Sequence, residues 1–243
     1  DPGPLGRTNN LLRTGEAFAA PPSVLPLIER GRTLSQLSGG LFNPAIGRLI
    51  ERWGFHSDEP HCVDPPSRQE VQALLAANPQ MSDIVVDGIM LRSDNPSVQL
   101  DFGAFGKGFG IDMAVEHLKE MGIGNAIVNA GGDLRAIGSR DGRPWRIAIR
   151  RPTGTGVFAT VHVSGDESVF TSGNYERRYA CDGKSYHHII DPRTGYPAEG
   201  AQSVTVLHDD ATTADAAATA LFVAGPERWY ETARRLGIRY VLL

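Results

Sequence analysis

The sequence lacks any long apolar run. No stretch approaches the roughly 20 consecutive apolar residues that a membrane-spanning helix requires, so we expect no transmembrane segment in this chain. Its 243 residues are 41% hydrophobic and 21% charged, a composition typical of globular proteins. This length is ample for a substantial core, and we expect a single domain over residues 1–243.

An excess of positive charge is also missing. The formal net charge is −4. Nucleic-acid backbones attract strongly basic surfaces, so this charge balance argues against nucleic acid as the main partner.

Cysteine is scarce, with only Cys62 and Cys181, and neither lies in a CxxC pair. A zinc site built on them is therefore unsupported. Two unrelated thiols are the favoured expectation, and a single disulfide is the alternative. The first ten residues, DPGPLGRTNN, lack the apolar core of a signal peptide. Since the sequence does not begin with Met, this leaves the cellular location open.

Helical and strand patterns are mixed along the chain, which predicts an α+β (mixed α/β) fold. Residues 1–22 are expected to form a loose lead-in, and Ser67 to Glu70 form a capping box at the start of a helix. The expected helices span residues 24–35, 42–53, 67–77, 111–121, 213–223 and 227–236. The expected strands span residues 84–91, 97–100, 125–129, 145–150, 158–164, 168–171, 175–181, 184–190, 203–208 and 238–242. Asp87-Gly88 is expected to be a hairpin turn.

Glycine is concentrated in DFGAFGKGFGID, residues 101–112, around Lys107. The segment matches neither the P-loop pattern nor the dinucleotide pattern GxGxxG. Glycines before a helix would let the backbone N–H groups approach an anion, with the lysine adding charge. The alternative is a tight strand-to-helix turn with a solvated lysine, and this segment alone favours the alternative slightly.

A carboxylate and a hydroxyl lie one helical turn apart in ADAAATA, residues 214–220. Asp215 and Thr219 share one helix face at this spacing, and their oxygens suit a hard cation such as Mg²⁺. The alternative is that Asp215 only stabilises the first turn of an alanine-rich helix.

Three further segments carry polar groups at strand ends or turns. Adjacent histidines on a strand point to opposite faces, so at most one of His187 and His188 faces a site, where it could act as a general base. Residues 171–173 offer hydroxyl and N–H groups as in an anion-holding turn, with an ordinary strand end as the alternative, and the same holds for residues 131–133. Residues 191–195 have the composition of a turn.

The order of these motifs resembles the FAD:protein FMN transferase (ApbE) family. DFGAFGKGFGID, NAGGD, TSGNY, HIIDPRTGYP and ADAAATALFVAG follow one another in family order, and LFNPAIGRLIERWGF resembles the family's upstream helix. The resemblance covers residues 41–225 and implies an ApbE-like fold of mixed sheets with flanking helices. It also implies that the N-terminal segment of the domain is incomplete here.

The resemblance implies a set of site residues. Asp215 and Thr219 match the family's side-chain metal ligands, with a backbone carbonyl at or next to Gly106 as a third. His188 matches the proposed base and, with Asp215, would be catalytic. The positions that line or support the FAD site are Lys107, Asp112, Asp133, Thr171, Ser172, Gly173, His188 and Asp191.

The implied activity is Mg²⁺-dependent cleavage of FAD, with transfer of FMN to a threonine hydroxyl of an acceptor protein and release of AMP. Hydrolysis of FAD to FMN and AMP, or FAD binding without catalysis, are the alternatives. The family further implies an acceptor in a membrane redox complex and an extracytoplasmic location, periplasmic or as a lipoprotein, in a bacterium.

Overall fold

The helices and strands are interspersed along the chain in a computed structural model that describes residues 2–56, 62 and 64–243. This confirms the mixed α+β class. The helices are α1 (Pro4–Leu12), α2 (Leu25–Leu37), α3 (Gly47–Arg52), α4 (Arg68–Ala76), α5 (Gly106–Glu120) and α6 (Ala211–Arg235). The strands are β1 (Phe18–Ala19), β2 (Ile84–Asp87), β3 (Met90–Ser93), β4 (Ala126–Ala130), β5 (Asp133–Gly138), β6 (Trp145–Arg150), β7 (Val157–Val163), β8 (Gly165–Gly173), β9 (Arg178–Cys181), β10 (Lys184–His187), β11 (Ser203–His208) and β12 (Tyr240–Leu242).

The chain divides into two units, each with its own packing. Unit 1 comprises residues 1–102 and 176–199, and unit 2 comprises residues 103–175 and 200–243. The single domain expected from the sequence stays a prediction, and the two units are described one at a time.

Unit 2 is built on an antiparallel five-stranded sheet in the order β12-β11-β8-β5-β4. Helix α6 packs against β8 and β11, and α5 packs against β4 and β5 as well as against α6. A separate hairpin, β6–β7, contributes Ile147 and Val163 to an apolar cluster with Leu134, Val169 and Leu207 of the sheet. Side chains along β5, β8 and β11 alternate between the two faces of the sheet. The sheet can therefore pack against the helices and against the β6–β7 hairpin.

Helix α6 contains a break at Gly225, where φ is 66° and ψ is −175°. Pro226 follows, and it cannot donate the backbone hydrogen bond that would continue the preceding turns. The sequence predicted two helices separated here, and the structure confirms the position of the break.

Unit 1 contains α1–α4, the three-stranded sheet β1-β3-β2 and the two-stranded sheet β10-β9. An apolar cluster joins Trp53, Phe55 and Val71 to Tyr179 and Ile190. The capping box at the start of α4 is present as predicted, with Ser67 Oγ accepting from the N–H of Glu70. No helix in the described ranges is long and apolar enough to cross a bilayer.

The expected loose lead-in over residues 1–22 is wrong, because it contains α1 and β1. Pro4 lies in the first turn of α1, and the buried Leu12 lies at its end. The Asn9 side chain also exchanges two hydrogen bonds with the backbone of Leu100, at 2.9 and 2.7 Å. These contacts with distant residues order a segment whose own composition is polar.

Three further predictions in unit 1 differ from the structure. The expected strand over residues 97–100 is reduced to one bridge between Ile46 and Gln99. The expected turn is shifted by one residue, because Asp87 pairs with Met90 and the two-residue loop is Gly88-Ile89. The helix expected over residues 42–53 is also shorter, since α3 begins only at Gly47.

Cys62 and Cys181 form a disulfide, so the expectation of two unrelated thiols is wrong. The 119 residues between them concealed this proximity in the sequence.

Candidate functional site

The first turns of α6 in unit 2 position Asp215. Asp210 caps the helix, since its Oδ1 accepts a hydrogen bond from the Thr213 N–H at 2.7 Å. Asp215 itself is only 6% exposed, although a helix surface carboxylate would normally face water. Its Oδ2 accepts a hydrogen bond from the Gly108 N–H of α5 at 2.9 Å. Asp215 is therefore a buried carboxylate at a junction of two helices.

Thr219 lies one turn further along α6, on the face that carries Asp215. Its Oγ1 is 3.3 Å from Oγ of Ser172, which belongs to β8. No three His, Cys, Asp or Glu side chains form a metal-binding group among the described residues. A cation here would thus rest on one carboxylate together with hydroxyl and backbone oxygens. All of these are hard oxygen donors, which fit Mg²⁺.

The glycine segment forms the first turns of α5, which begins at Gly106, so the expected helix start at residue 111 is wrong. The first four N–H groups of an α-helix have no partner within it. This is why the Gly108 N–H can donate to Asp215. A Cβ at Gly108 would overlap the carbonyl group of Ala211, whereas a Cβ at Gly110 would meet no atom within 4 Å. Gly108 is thus required by the close approach of α5 to α6.

Lys107 reaches from α5 to Asp133 at the start of β5. The Lys107 side chain is 44% exposed, and its Nζ contacts Oδ2 of Asp133, which is buried. The other oxygen of Asp133 accepts a hydrogen bond from the Thr171 N–H at 2.9 Å. These contacts connect three of the predicted site residues. They attach the start of α5 to the start of β5 and to the end of β8.

Thr171, Ser172 and Gly173 are the last residues of β8, not a turn after it. The sequence predicted a strand over residues 168–171 with an anion-holding turn or a strand end after it, but pairing with β11 continues to the Gly173–Ser203 pair. Successive residues of β8 point to opposite faces of the sheet. Thr171 lies beside Thr205, with their hydroxyl oxygens 2.8 Å apart, whereas Ser172 points towards Thr219.

Asp112 supports the site by capping α6 from outside that helix. Its two oxygens accept hydrogen bonds from the N–H groups of Ala211 and Thr212, at 2.9 and 2.8 Å, and from Thr212 Oγ1 at 2.5 Å. These N–H groups have no partners within their own helix. The carboxylate of Asp112 is therefore engaged with α6 and fixes where that helix begins.

Arg135 is a supporting residue that the sequence reasoning missed. Its side chain, 9% exposed, donates to Asp112 at 2.6 Å and to both oxygens of Asp166 at 2.7 and 2.8 Å. Burial opposes ionisation of Asp166, but hydrogen bonds from Arg135 and Lys119 outweigh it and hold the pKa of that carboxyl below its ordinary value. The signal available in the sequence was a single arginine between apolar residues. Its partners lie on other elements, so the sequence did not reveal them.

His188 and Asp191 belong to unit 1. His188 follows β10, and its ring lies edge-on to Phe55. Its Nδ1 is 3.2 Å from the carbonyl oxygen of Arg177. A carbonyl can only accept, so Nδ1 carries the proton and Nε2 is the basic nitrogen of the neutral ring.

Asp191 shapes the turn that follows His188. Its carboxylate accepts from the N–H and the guanidinium of Arg193, at 2.8 and 2.7 Å, and its carbonyl accepts the Gly195 N–H at 2.8 Å. His187 has its Nε2 3.0 Å from the carbonyl oxygen of Ala198, and burial lowers its pKa.

Unit 2 thus holds nine of the predicted site residues, and contacts directly join Lys107 to Asp133, Asp133 to Thr171, and Ser172 to Thr219. Gly106 is the first residue of α5, and its role as a metal ligand stays a prediction. The roles assigned to all eleven of the predicted site residues stay predictions.

Comparison with known proteins supports a family assignment. The model of the ApbE family matches residues 3–242. The chain is 45% identical over 241 residues to a FAD:protein FMN transferase of Rhodobacter capsulatus, covering 99% of this chain and 46% of that protein. This chain therefore spans about half the length of that curated relative.

Solved structures agree. The crystal structure of an ApbE protein from Thermotoga maritima has a TM-score of 0.86 at 34% identity, covering 96% of this chain and 77% of that one. The flavin transferase ApbE from Vibrio cholerae has a TM-score of 0.81 at 35% identity, covering 98% and 75%.

Proposed function

Because the chain belongs to the ApbE family, we propose that it is a flavin transferase that cleaves FAD and attaches FMN to a threonine of an acceptor protein. The observation that carries this proposal is the buried Asp215 carboxylate held against the start of α5. That arrangement supports the proposal, because oxygen atoms that suit a cation lie beside a helix start that would attract phosphate.

Asp215, Thr219 and the backbone carbonyl at Gly106 are the groups that would hold Mg²⁺, with the Ser172 hydroxyl beside Thr219. When bound, the ion supplies charge neutralisation at the phosphate oxygens of the substrate. Asp215 keeps its orientation because the Gly108 N–H fixes one of its two oxygens.

The start of α5 is the proposed position of the FAD diphosphate. The N-terminal N–H groups of a helix and its dipole favour an anion. Lys107 adds a cationic side chain at this end, held by Asp133. Gly106 and Gly110 carry no Cβ in the first turns, so the backbone there could approach a ligand closely, whereas Gly108 faces α6.

His188 is the proposed base. The hydrogen bond geometry at Nδ1 makes Nε2 the proton acceptor. It would take the proton of the acceptor threonine, whose oxygen then forms a bond to the phosphorus of the FMN half. The bond between that phosphorus and the bridging oxygen breaks, and AMP leaves with the bridging oxygen.

An extracytoplasmic location is part of the same proposal. The disulfide between Cys62 and Cys181 supports it, since structural disulfides persist mainly in oxidising compartments.

The transferase proposal is tested by incubating the protein with FAD, Mg²⁺ and candidate acceptor proteins. We expect a flavin-fluorescent acceptor band on a denaturing gel, stoichiometric AMP, and loss of both with EDTA. Release of FMN and AMP without a labelled acceptor would instead identify a pyrophosphatase. Intact FAD that binds equally well with EDTA would identify a flavin-binding protein, and either result overturns the proposal.

A further inference from the structure

A short segment of unit 2 concentrates positive charge in a chain that is negative overall. Residues 140–151, RDGRPWRIAIRR, contain five arginines and one aspartate, a net charge of +4, whereas the chain has a formal net charge of −4. The segment comprises the turn before β6, the whole of β6 and the residue after it.

The strand register places two of these cations on the exposed face of the hairpin. Ile147 and Ile149 of β6 are buried, while Arg146 and Arg150, which flank them, are exposed. Across the hairpin, Arg146 pairs with His162 and Ala148 pairs with Thr160. No carboxylate stands on this face among the residues of β6 and β7.

The five arginines have no ion-pair partners in the described part of the chain. Arg135, by contrast, engages Asp112 and Asp166 through the whole of its guanidinium group. The hairpin also exposes apolar area, since Phe158 is 50% exposed. A face with unpaired cations and an exposed aromatic ring has the composition of a protein-binding surface.

This face borders the site in unit 2 through Tyr175. The guanidinium carbon of Arg150 lies 4.7 Å from the centre of the Tyr175 ring. A Cβ at Gly173 would lie only 2.6 Å from an atom of the same ring. One aromatic ring therefore touches both the cationic face and the end of β8, where Thr171 and Ser172 lie.

We propose that the exposed face of the β6–β7 hairpin docks the acceptor protein through an acidic surface next to its target threonine. This inference rests on the proposed transferase function, because only a transferase must bring a protein to this site. Arginine suits the role, since its planar fork binds carboxylates through two parallel hydrogen bonds. The cationic face would also accelerate encounter with an acidic partner.

An acidic protein is favoured over an anionic membrane as the occupant. The remainder of the chain is negative and would be repelled by a uniformly anionic lipid surface, whereas a protein can present a compact acidic patch to the hairpin alone.

The test uses two dye-labelled peptides, a threonine flanked by glutamates and the same peptide with glutamines. Fluorescence anisotropy should show that the wild-type protein binds the glutamate peptide preferentially. Raising NaCl from about 50 to about 500 mM should weaken this binding, because the charges are exposed. Arg146→Gln together with Arg150→Gln should raise the Kd for the glutamate peptide by about fivefold or more.

A matched control makes the same charge change elsewhere in unit 2. Arg228→Gln with Arg239→Gln removes two exposed positive charges that lie outside the hairpin, and should leave the Kd within about twofold. Equal losses in both double variants would overturn the docking surface, as would equal binding of the two peptides. Failure of FAD cleavage would leave these binding results unchanged, so the two proposals fail separately.

Vesicles of phosphatidylcholine and phosphatidylglycerol in about a 3:1 ratio test the alternative occupant, an anionic membrane. Co-sedimentation that depends on Arg146 and Arg150, without preferential binding of the glutamate peptide, would identify a membrane-facing surface and contradict the proposal. We expect the hairpin substitutions to affect peptide binding and to leave sedimentation with vesicles unchanged.

Discussion

At the scale of single residues, the start of α6 is held by side chains that lie outside it. Asp112 accepts its first N–H groups, and Arg135 in turn binds Asp112 and Asp166. The pKa of Asp166 is lowered, because Arg135 and Lys119 together outweigh its burial. A carboxyl with a lowered folded-state pKa stabilises the fold above its ordinary pKa, and this stabilisation is lost as the pH falls through the folded-state value.

Arg135→Gln should therefore destabilise the protein in a pH-dependent way. At neutral pH we expect a loss of about 2 kcal/mol in the free energy of unfolding, since the partly buried carboxylates of Asp112 and Asp166 lose a charged hydrogen-bond partner. At acidic pH, below the lowered pKa of Asp166, the difference from wild type should shrink, because the protonated carboxyl no longer gains from a cationic partner. Urea unfolding at the two pH values measures both quantities.

Arg228→Gln provides the control for this measurement, since Arg228 is exposed. It should change the free energy of unfolding by less than about 0.5 kcal/mol at either pH. A destabilisation by Arg135→Gln of equal size at both pH values would show that the ion pairs are not its cause.

At the scale of elements, the junction between α5 and α6 organises the site. The helices approach so closely that a side chain at Gly108 would overlap the backbone of Ala211. The same approach lets the Gly108 N–H meet Asp215. The packing of the two helices and the position of the Asp215 carboxylate therefore both depend on Gly108.

Gly108→Ala should separate the two helices and destabilise the protein by about 2 kcal/mol, within the range typical of overpacking. Gly110→Ala is the matched control in the same helix. It meets no atom within 4 Å and should stabilise the helix by up to about 1 kcal/mol. Thermal unfolding of both variants distinguishes them, and similar effects of the two substitutions would contradict the close-packing explanation.

The sequence revealed elements where local signals decide the structure, and it misplaced those that depend on distant contacts. The capping box of α4 and the break at Gly225 follow from local chemistry, and both were predicted. Helix α1 was missed because its order depends on contacts such as that between Asn9 and Leu100. The start of α5 was misplaced because glycine disfavours helix locally, and only the packing of α6 explains it.

The candidate site was predictable in part for the same reason. Asp215 and Thr219 were found from their spacing on one helix, which is a local property. Two contacts could not be inferred from spacing: Ser172 beside Thr219, and Arg135 beside Asp112. They depend on the pairing of β8 with β5 and on the position of α5 against these strands. Residue spacing carries no information about such neighbours.

At the scale of the whole molecule, the family match covers nearly all of the chain, and most of the predicted site residues lie in unit 2. The ApbE match extends over residues 3–242, and unit 2 contains the oxygen donors, the glycine-rich start of α5 and the cationic hairpin. The central claim is that Asp215 holds a divalent cation needed for FAD cleavage.

The most direct test of that claim is the rate of FAD cleavage as a function of Mg²⁺ concentration in Asp215→Asn. Asparagine keeps an oxygen that can accept from Gly108, so the fold should persist by circular dichroism. Asp209→Asn, at an exposed carboxylate before the same helix, removes the same charge and should cleave FAD normally. We predict that Asp215→Asn slows cleavage by roughly 100-fold or more, about 2.7 kcal/mol. Cleavage by Asp215→Asn at the wild-type rate, with unchanged Mg²⁺ dependence, would contradict the account.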